Sequence, residues 1–232
     1  MRIDLVSPIC VALDASDPDE VTRVAEDVRG SVGAVKVGLT AFTSGGPELV
    51  RTLAARHRVF LDLKLHDIPA QVAGAISSVG ALGVSWTTVH AQGGGEMLRA
   101  AAAAAPSHLM VLAVTVLTSL DDAELRKTGL AGPPESAVLR LADLALASGI
   151  EGLVCSPLEV AAVRERFGTS SEGGPFLVVP GIRPAGSARG DQRRTLGPRE
   201  ALEAGADLLV VGRPITDAPE PALAARDLLE SL

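Results

Sequence analysis

The run Val59-Phe60-Leu61-Asp62-Leu63-Lys64-Leu65-His66-Asp67-Ile68, with Pro69 directly after it, holds the most unusual charge arrangement in the chain. Strand alternation places Phe60, Asp62 and Lys64 on one face and Leu61, Leu63 and Leu65 on the other. Burying Asp62 and Lys64 at the end of an apolar strand is costly unless the charges satisfy each other. Asp67 follows three residues after Lys64, where Pro69 announces a helix. The pattern is Asp-x-Lys-x-x-Asp at a strand-to-helix junction. A lysine flanked by carboxylates suits a proton donor better than a nucleophile. A plainer reading stands beside it: a structural ion pair, with Asp67 as the helix N-cap.

Outward from this junction the chain keeps one rhythm. Short Val- and Leu-rich runs suited to a parallel sheet lie near Cys10–Asp14, Ala34–Gly38, Val59–Lys64 and Trp86–His90. Four more lie near Leu109–Leu117, Gly152–Ser156, Phe176–Ile182 and Leu208–Arg213. Amphipathic helical stretches separate them: Asp17–Val28, Pro47–Arg56, Pro69–Leu82, Glu96–Ala105, Glu135–Ser148, Pro157–Phe167, Pro198–Ala204 and Pro219–Leu232. Eight strand–helix units predict an α/β fold, a (β/α)₈ TIM barrel, as a single domain over residues 1–232. A doubly wound open sheet is the alternative, but the Gly-x-Gly-x-x-Gly turn expected after its first strand is absent.

Bulk properties narrow the class. The 232 residues, 47% hydrophobic and 21% charged, are ordinary for a globular chain. A net charge of −7 argues against a nucleic-acid binder. No apolar run reaches membrane-spanning length and no secretory leader opens the sequence, so a cytoplasmic location without membrane attachment is expected. Cys10 and Cys155 sit in apolar runs and read as buried thiols. No His, Cys or carboxylate spacing resembles a metal site.

In a barrel, chemistry is built at the C-terminal strand ends. Asp14, Lys36, Asp62, Lys64, His90, Thr118, Arg183 and Arg213 all fall there. Val178–Arg183 and Val210–Ile215 are strand-to-loop turns carrying glycine and arginine, where barrels commonly bind phosphate. Gly212 would let the backbone approach phosphate oxygens, Arg213 would supply a bidentate fork, and Gln192 would add neutral hydrogen bonds. The loop from Arg183 to about Leu196, with Arg189, Arg193 and Arg194, reads as a lid or binding loop, or else as a solvated basic surface. Asp14 alone reads equally well as a turn cap. His66 and His90 are candidate bases or backbone-satisfied histidines. His57 and His108 fall at the barrel bottom, and Trp86 reads as core.

Asp62-Leu-Lys64-Leu-His66-Asp67-Ile68-Pro69 resembles the motif of the orotidine 5′-phosphate decarboxylases. The likeness continues in order through Ala12-Leu13-Asp14, Val35-Lys36-Val37-Gly38, Val89-His90-Ala91 and Val114–Ser119. It ends with Pro180-Gly181-Ile182-Arg183, Gly190-Asp191-Gln192 and Val211–Ile215, and is similar to the bacterial branch. The resemblance implies loss of CO₂ from orotidine 5′-phosphate to give UMP, with no cofactor. By position, Lys64 would protonate C6, Asp62 would face the departing carboxylate, and Lys36 would hold Asp62 and a ribose hydroxyl. Asp14 would bind ribose and Thr118 the base. Gln192, Gly212 and Arg213 would grip phosphate, with Arg183, Pro180 and Ile68 among the substrate contacts. A homodimer is implied, with Asp67 reaching the partner's site. Where the family often has Asn-Thr after Asp-Ile-Pro, this chain has Ala70-Gln71, so Gln71 is the candidate replacement for a threonine contact to ribose. A magnesium-dependent sugar-phosphate enzyme of the same superfamily and a non-catalytic nucleotide sensor are the other readings.

Overall fold

The computed structural model describes residues 5–130, 132–184 and 194–232. Eight parallel strands close in sequence order into a barrel. They are β1 (Ile9–Leu13), β2 (Ala34–Val37), β3 (Val59–Leu65), β4 (Trp86–His90), β5 (Met110–Val114), β6 (Gly152–Val154), β7 (Phe176–Val179) and β8 (Leu208–Val211). The helices are α1 (Pro18–Asp27), α2 (Leu39–Ala54), α3 (Pro69–Gly80), α4 (Gly94–Ala104), α5 (Asp122–Lys127), α6 (Pro134–Ala147), α7 (Val160–Phe167), α8 (Pro198–Glu203), α9 (Arg213–Thr216) and α10 (Pro221–Glu230). The expected (β/α)₈ barrel is the observed one.

Alternation along each strand builds two separate cores. Val11, Val35, Leu61, Val89, Val111 and Leu153 point outward and pack against the helices. Cys10, Ala12, Phe60, Trp86, Met110, Leu112, Val178 and Val210 fill the interior. At the N-terminal mouth, Trp86 is fully buried and stacks on Phe176 with ring centroids 6.2 Å apart. Higher in the same interior, Lys36, Asp62 and Thr88 replace apolar side chains. The barrel is therefore plugged below and charged above, which sets the place where a ligand can enter.

Several local expectations are corrected. Helix α2 starts at Leu39 rather than near Pro47, because Gly46 (φ 59°, ψ −160°) joins two helical segments across a kink that proline alone had suggested as a start. Strands β5, β7 and β8 end at Val114, Val179 and Val211, earlier than expected; Thr118 follows β5 as expected, whereas Arg183 and Arg213 lie beyond their strands and Arg213 opens a short helix. Regular alternation also fails late in β3. Leu61 pairs with Thr87 and Leu65 with Val89, so four residue steps on β3 span two on β4. Within that irregularity Lys64 takes φ 51°, and it is the one non-glycine residue with positive φ among those described. Such a conformation costs on the order of 1–3 kcal/mol and concentrates at functional sites.

The interior plug generates a stability prediction. Trp86→Ala should lower unfolding free energy by about 3–5 kcal/mol, read from a denaturant titration. A loss below about 1 kcal/mol would mean the lower interior collapses freely around the gap.

Candidate active site

Four charged side chains alternate in sign across the upper interior. Asp14 stands just beyond β1, Lys36 on β2, and Asp62 and Lys64 on β3. Lys36 Nζ lies 3.0 Å from Asp14 Oδ1 and 3.9 Å from Asp62 Oδ2, while Lys64 Nζ lies 2.7 Å from that same Asp62 oxygen. The side chains of Lys36 and Asp62 are only 10% and 12% exposed, against 59% for Asp14. The two middle members are thus buried, while Lys64 is partly exposed and Asp14 faces solvent. Asp14 does not cap the following helix: Asp17 does, accepting from Asp19 N at 3.0 Å.

The other oxygen of Asp62 has its own partner. Thr88, fully buried on β4, donates to Asp62 Oδ1 at 2.9 Å and accepts from Lys64 N at 2.8 Å. Sequence reading passed over Thr88 because a threonine in a strand is unremarkable until a neighbouring strand supplies its partners. Gly38 was also given no role. A Cβ at that position would lie 2.6 Å from Asp14 Oδ1 and 2.9 Å from Lys36 Nζ, so its missing side chain makes room for the ion pair.

A cavity of about 670 Å³ opens above this row. It gathers Asp14, Lys36, Asp62, Lys64, Thr118, Pro180, Arg183, Gly212 and Arg213. Gln192 lies outside the described residues. Asp67, Ile68 and Gln71 do not line the cavity of their own chain; they are exposed where α3 begins. Asp67 is not the N-cap of α3. That position belongs to Ile68, without a side-chain cap, and Asp67 Oδ1 instead accepts from Ile68 N at 2.6 Å.

The basic loop divides as well. Arg183 N donates to Leu196 O at 3.0 Å, closing the loop's stem. Arg194, one of the arginines of a loop read as a lid or binding loop or else as a solvated basic surface, is 7% exposed. It donates to Glu159 Oε1 at 2.7 Å and to Leu117 O at 2.9 Å. Its charge is consumed in holding the β5 loop, next to Thr118, rather than offered to a ligand.

Cys10, Cys155, His66 and His90 lie around the row. Burial pushes the Cys10 and Cys155 thiols up to about 12, so both are inert free thiols. His108 Nε2 lies 3.1 Å from Gly80 O. His66 and His90 approach with ring centroids 5.6 Å apart, and His90 Nδ1 is buried with no hydrogen-bond partner among the described residues. Backbone satisfaction, one of the two readings of His90, therefore fails at this atom.

Residues 7–228 match the family model described as Orotidine 5'-phosphate decarboxylase / HUMPS family. The chain belongs to that family. The orotidine 5'-phosphate decarboxylase of Anaeromyxobacter dehalogenans is 56% identical over 97% of each chain. That of Thermobifida fusca is 51% identical over 98% of this chain and 97% of its own. The crystal structure of orotidine 5'-phosphate decarboxylase from Lactobacillus acidophilus superposes with a TM-score of 0.83 at 35% identity, covering 97% of this chain and 98% of the other. As a member of this family the chain is an enzyme, a decarboxylase.

Burial holds the His90 imidazolium below its ordinary 6.5, and the nearby His66 and Lys64 add to the effect. His57 is lowered as well, again chiefly by burial. The unfolded chain therefore takes up protons first as pH falls. Stability should be complete above about 6.5 and decline below it. Thermal melts across that range should show the decline, and His90→Gln should make it shallower; an unchanged slope would remove His90 from this balance.

Proposed function

We propose that this enzyme converts orotidine 5′-phosphate to UMP and CO₂ without metal or organic cofactor, with residues 1–232 acting as one catalytic barrel in the cytoplasm. The observation that carries the reading is the Lys64 ammonium, fixed 2.7 Å from Asp62 in a cavity that Gly212 and Arg213 also line. Breaking the bond from C6 to the carboxylate leaves an electron pair on C6 that the ring does not delocalise. Lys64 Nζ delivers a proton to that pair, and the resulting amine regains a proton from solvent. Asp62 Oδ2 faces the departing carboxylate, and Lys36 holds Asp62 and one ribose hydroxyl. The exposed carboxylate of Asp14 takes the other ribose hydroxyl, and Thr118 contacts the base.

Magnitudes decide how the work divides. An ammonium about 4 Å from the developing anion contributes roughly 4 kcal/mol at an effective dielectric near 20. The most proficient enzymes lower barriers by ~20 kcal/mol. The remainder has to come from binding energy realised at the phosphate and ribose, used to exclude water and fix the reacting carbon against Lys64. Gly212, Arg213 and Arg183, which line the cavity, supply the phosphate contacts together with Gln192, and Pro180 lines the same cavity. Asp67, Ile68 and Gln71 stand exposed outside their own chain's cavity, which supports a homodimer in which they complete the partner's site. A magnesium-dependent sugar-phosphate reaction fits less well, because the Lys36 ammonium occupies the space between Asp14 and Asp62 where a cation would sit.

Mixing the purified protein with orotidine 5′-phosphate in excess EDTA should give loss of substrate absorbance and release of CO₂. Lys64→Ala should abolish turnover and retain UMP binding. UMP binding without CO₂ release by the wild type would favour a sensor, and turnover lost in EDTA would favour a metal enzyme. Gly38→Ala tests the charge row from its open end. It should cut kcat/KM roughly ten- to a hundredfold by displacing Lys36 and Asp14. Activity equal to wild type would show that the row tolerates displacement there.

A further inference from the structure

We propose that Thr88 is a positioning residue for the decarboxylation, holding the Asp62 carboxylate and the strained backbone of Lys64 with one hydroxyl. The inference rests on the decarboxylase reading above. A threonine hydroxyl has one hydrogen to give and two lone pairs to accept with. At Thr88 both functions are in use, toward Asp62 Oδ1 at 2.9 Å and from Lys64 N at 2.8 Å. The β-branched side chain, fully buried on β4, has little rotamer freedom and acts as a fixed point.

The two bonds meet two separate requirements. Asp62 has one oxygen shared by Lys36 and Lys64, and without a partner its second oxygen would be buried and unsatisfied. Donation from Thr88 fixes the rotation of the carboxylate, so that Oδ2 and not Oδ1 faces the lysines. Lys64 sits at φ 51° inside the register irregularity of β3. An amide at such a turn has left the regular ladder, and the Thr88 oxygen receives it. One atom thereby ties the proton donor's backbone to its carboxylate neighbour across two strands.

Thr87 provides the internal control. It is equally buried on the same strand, and its hydroxyl donates to Leu61 O at 2.9 Å without touching the charge row. Thr88→Val keeps the shape of the side chain and removes the hydroxyl. Its kcat should fall roughly ten- to a hundredfold, the range expected when a buried charged group loses a hydrogen bond, while KM and UMP affinity stay within about threefold. Thr88→Ser should return kcat to within about threefold of wild type. Thr87→Val should lower the melting temperature and leave kcat in place.

Wild-type kcat in Thr88→Val, or no recovery with serine, would overturn the proposal. So would a kcat loss in Thr87→Val equal to that in Thr88→Val, since hydroxyl removal would then act through stability alone. Should Thr88→Val fail to fold, Thr88→Ser against Thr88→Ala carries the same comparison, and equal kcat in that pair is the overturning result. An inert wild type would instead sink the decarboxylase reading on which the inference stands, and the two failures are thus distinguishable.

Discussion

The constraint on which the upper half of the barrel depends is the sharing of one carboxylate oxygen by two ammonium groups. Asp62 Oδ2 faces Lys64 at 2.7 Å and Lys36 at 3.9 Å, inside a parallel barrel. Each ion taken from water costs several kcal/mol, and well-packed apolar residues often stabilise such a position as well as a salt bridge does. As a stability device the row is therefore poor. In the proposed reaction its value lies in being arranged before a substrate arrives, since fixed charge needs no reorganisation when new charge develops beside it. The barrel supplies what that requires: strands on either side that cannot shift without breaking the ladder, and Asp14 at the solvent end to balance the second lysine.

The lower half explains why the row can be held so closely. Trp86, Phe60, Met110 and Leu112 fill the interior beneath the charges. Close-packed interiors transmit displacement instead of absorbing it, so the strands that carry Lys36, Asp62 and Thr88 rest on a rigid floor. The same floor closes the lower mouth. A ligand reaches the charges from above, between the loop after β5 and the turns after β7 and β8. The Arg194–Glu159 pair, with its hydrogen bond to Leu117 O, ties the first of those regions to the stem of the basic loop.

Most of this architecture was legible in the sequence because parallel barrels write their strands as short apolar runs and their site as polar residues at one end. Asp14, Lys36, Asp62 and Lys64 stood out for that reason: each is a charge where the pattern calls for an apolar side chain or a turn. What stayed hidden depends on neighbours distant in the chain. Thr88 is ordinary in a strand until β3 is laid beside it. Gly38 carries no signal until Asp14 and Lys36 meet over it. The bulge at Lys64 was masked by a sequence that alternates well enough to look regular. Arg194 was grouped with its basic neighbours by composition, whereas its burial is decided by Glu159, 35 residues earlier in the chain.

The bulge also bears on why Lys64, the proposed proton donor, is a strained residue. In a regular strand, Lys64 would leave β3 at the angle of its neighbours, and its position would be set by four flexible side-chain bonds. A left-handed backbone costs on the order of 1–3 kcal/mol. Within β3 that cost is offset by a hydrogen bond to a buried hydroxyl and by the ion pair the turn permits. The backbone thereby assumes part of the aiming that a long side chain does badly, because fixing φ at the root restricts every atom beyond it. Relaxing the strain would restore ladder geometry, free the Thr88 hydroxyl from one of its two bonds, and loosen Asp62 in the same movement. Strain, hydroxyl and carboxylate form one unit, and the ammonium is placed by all three together.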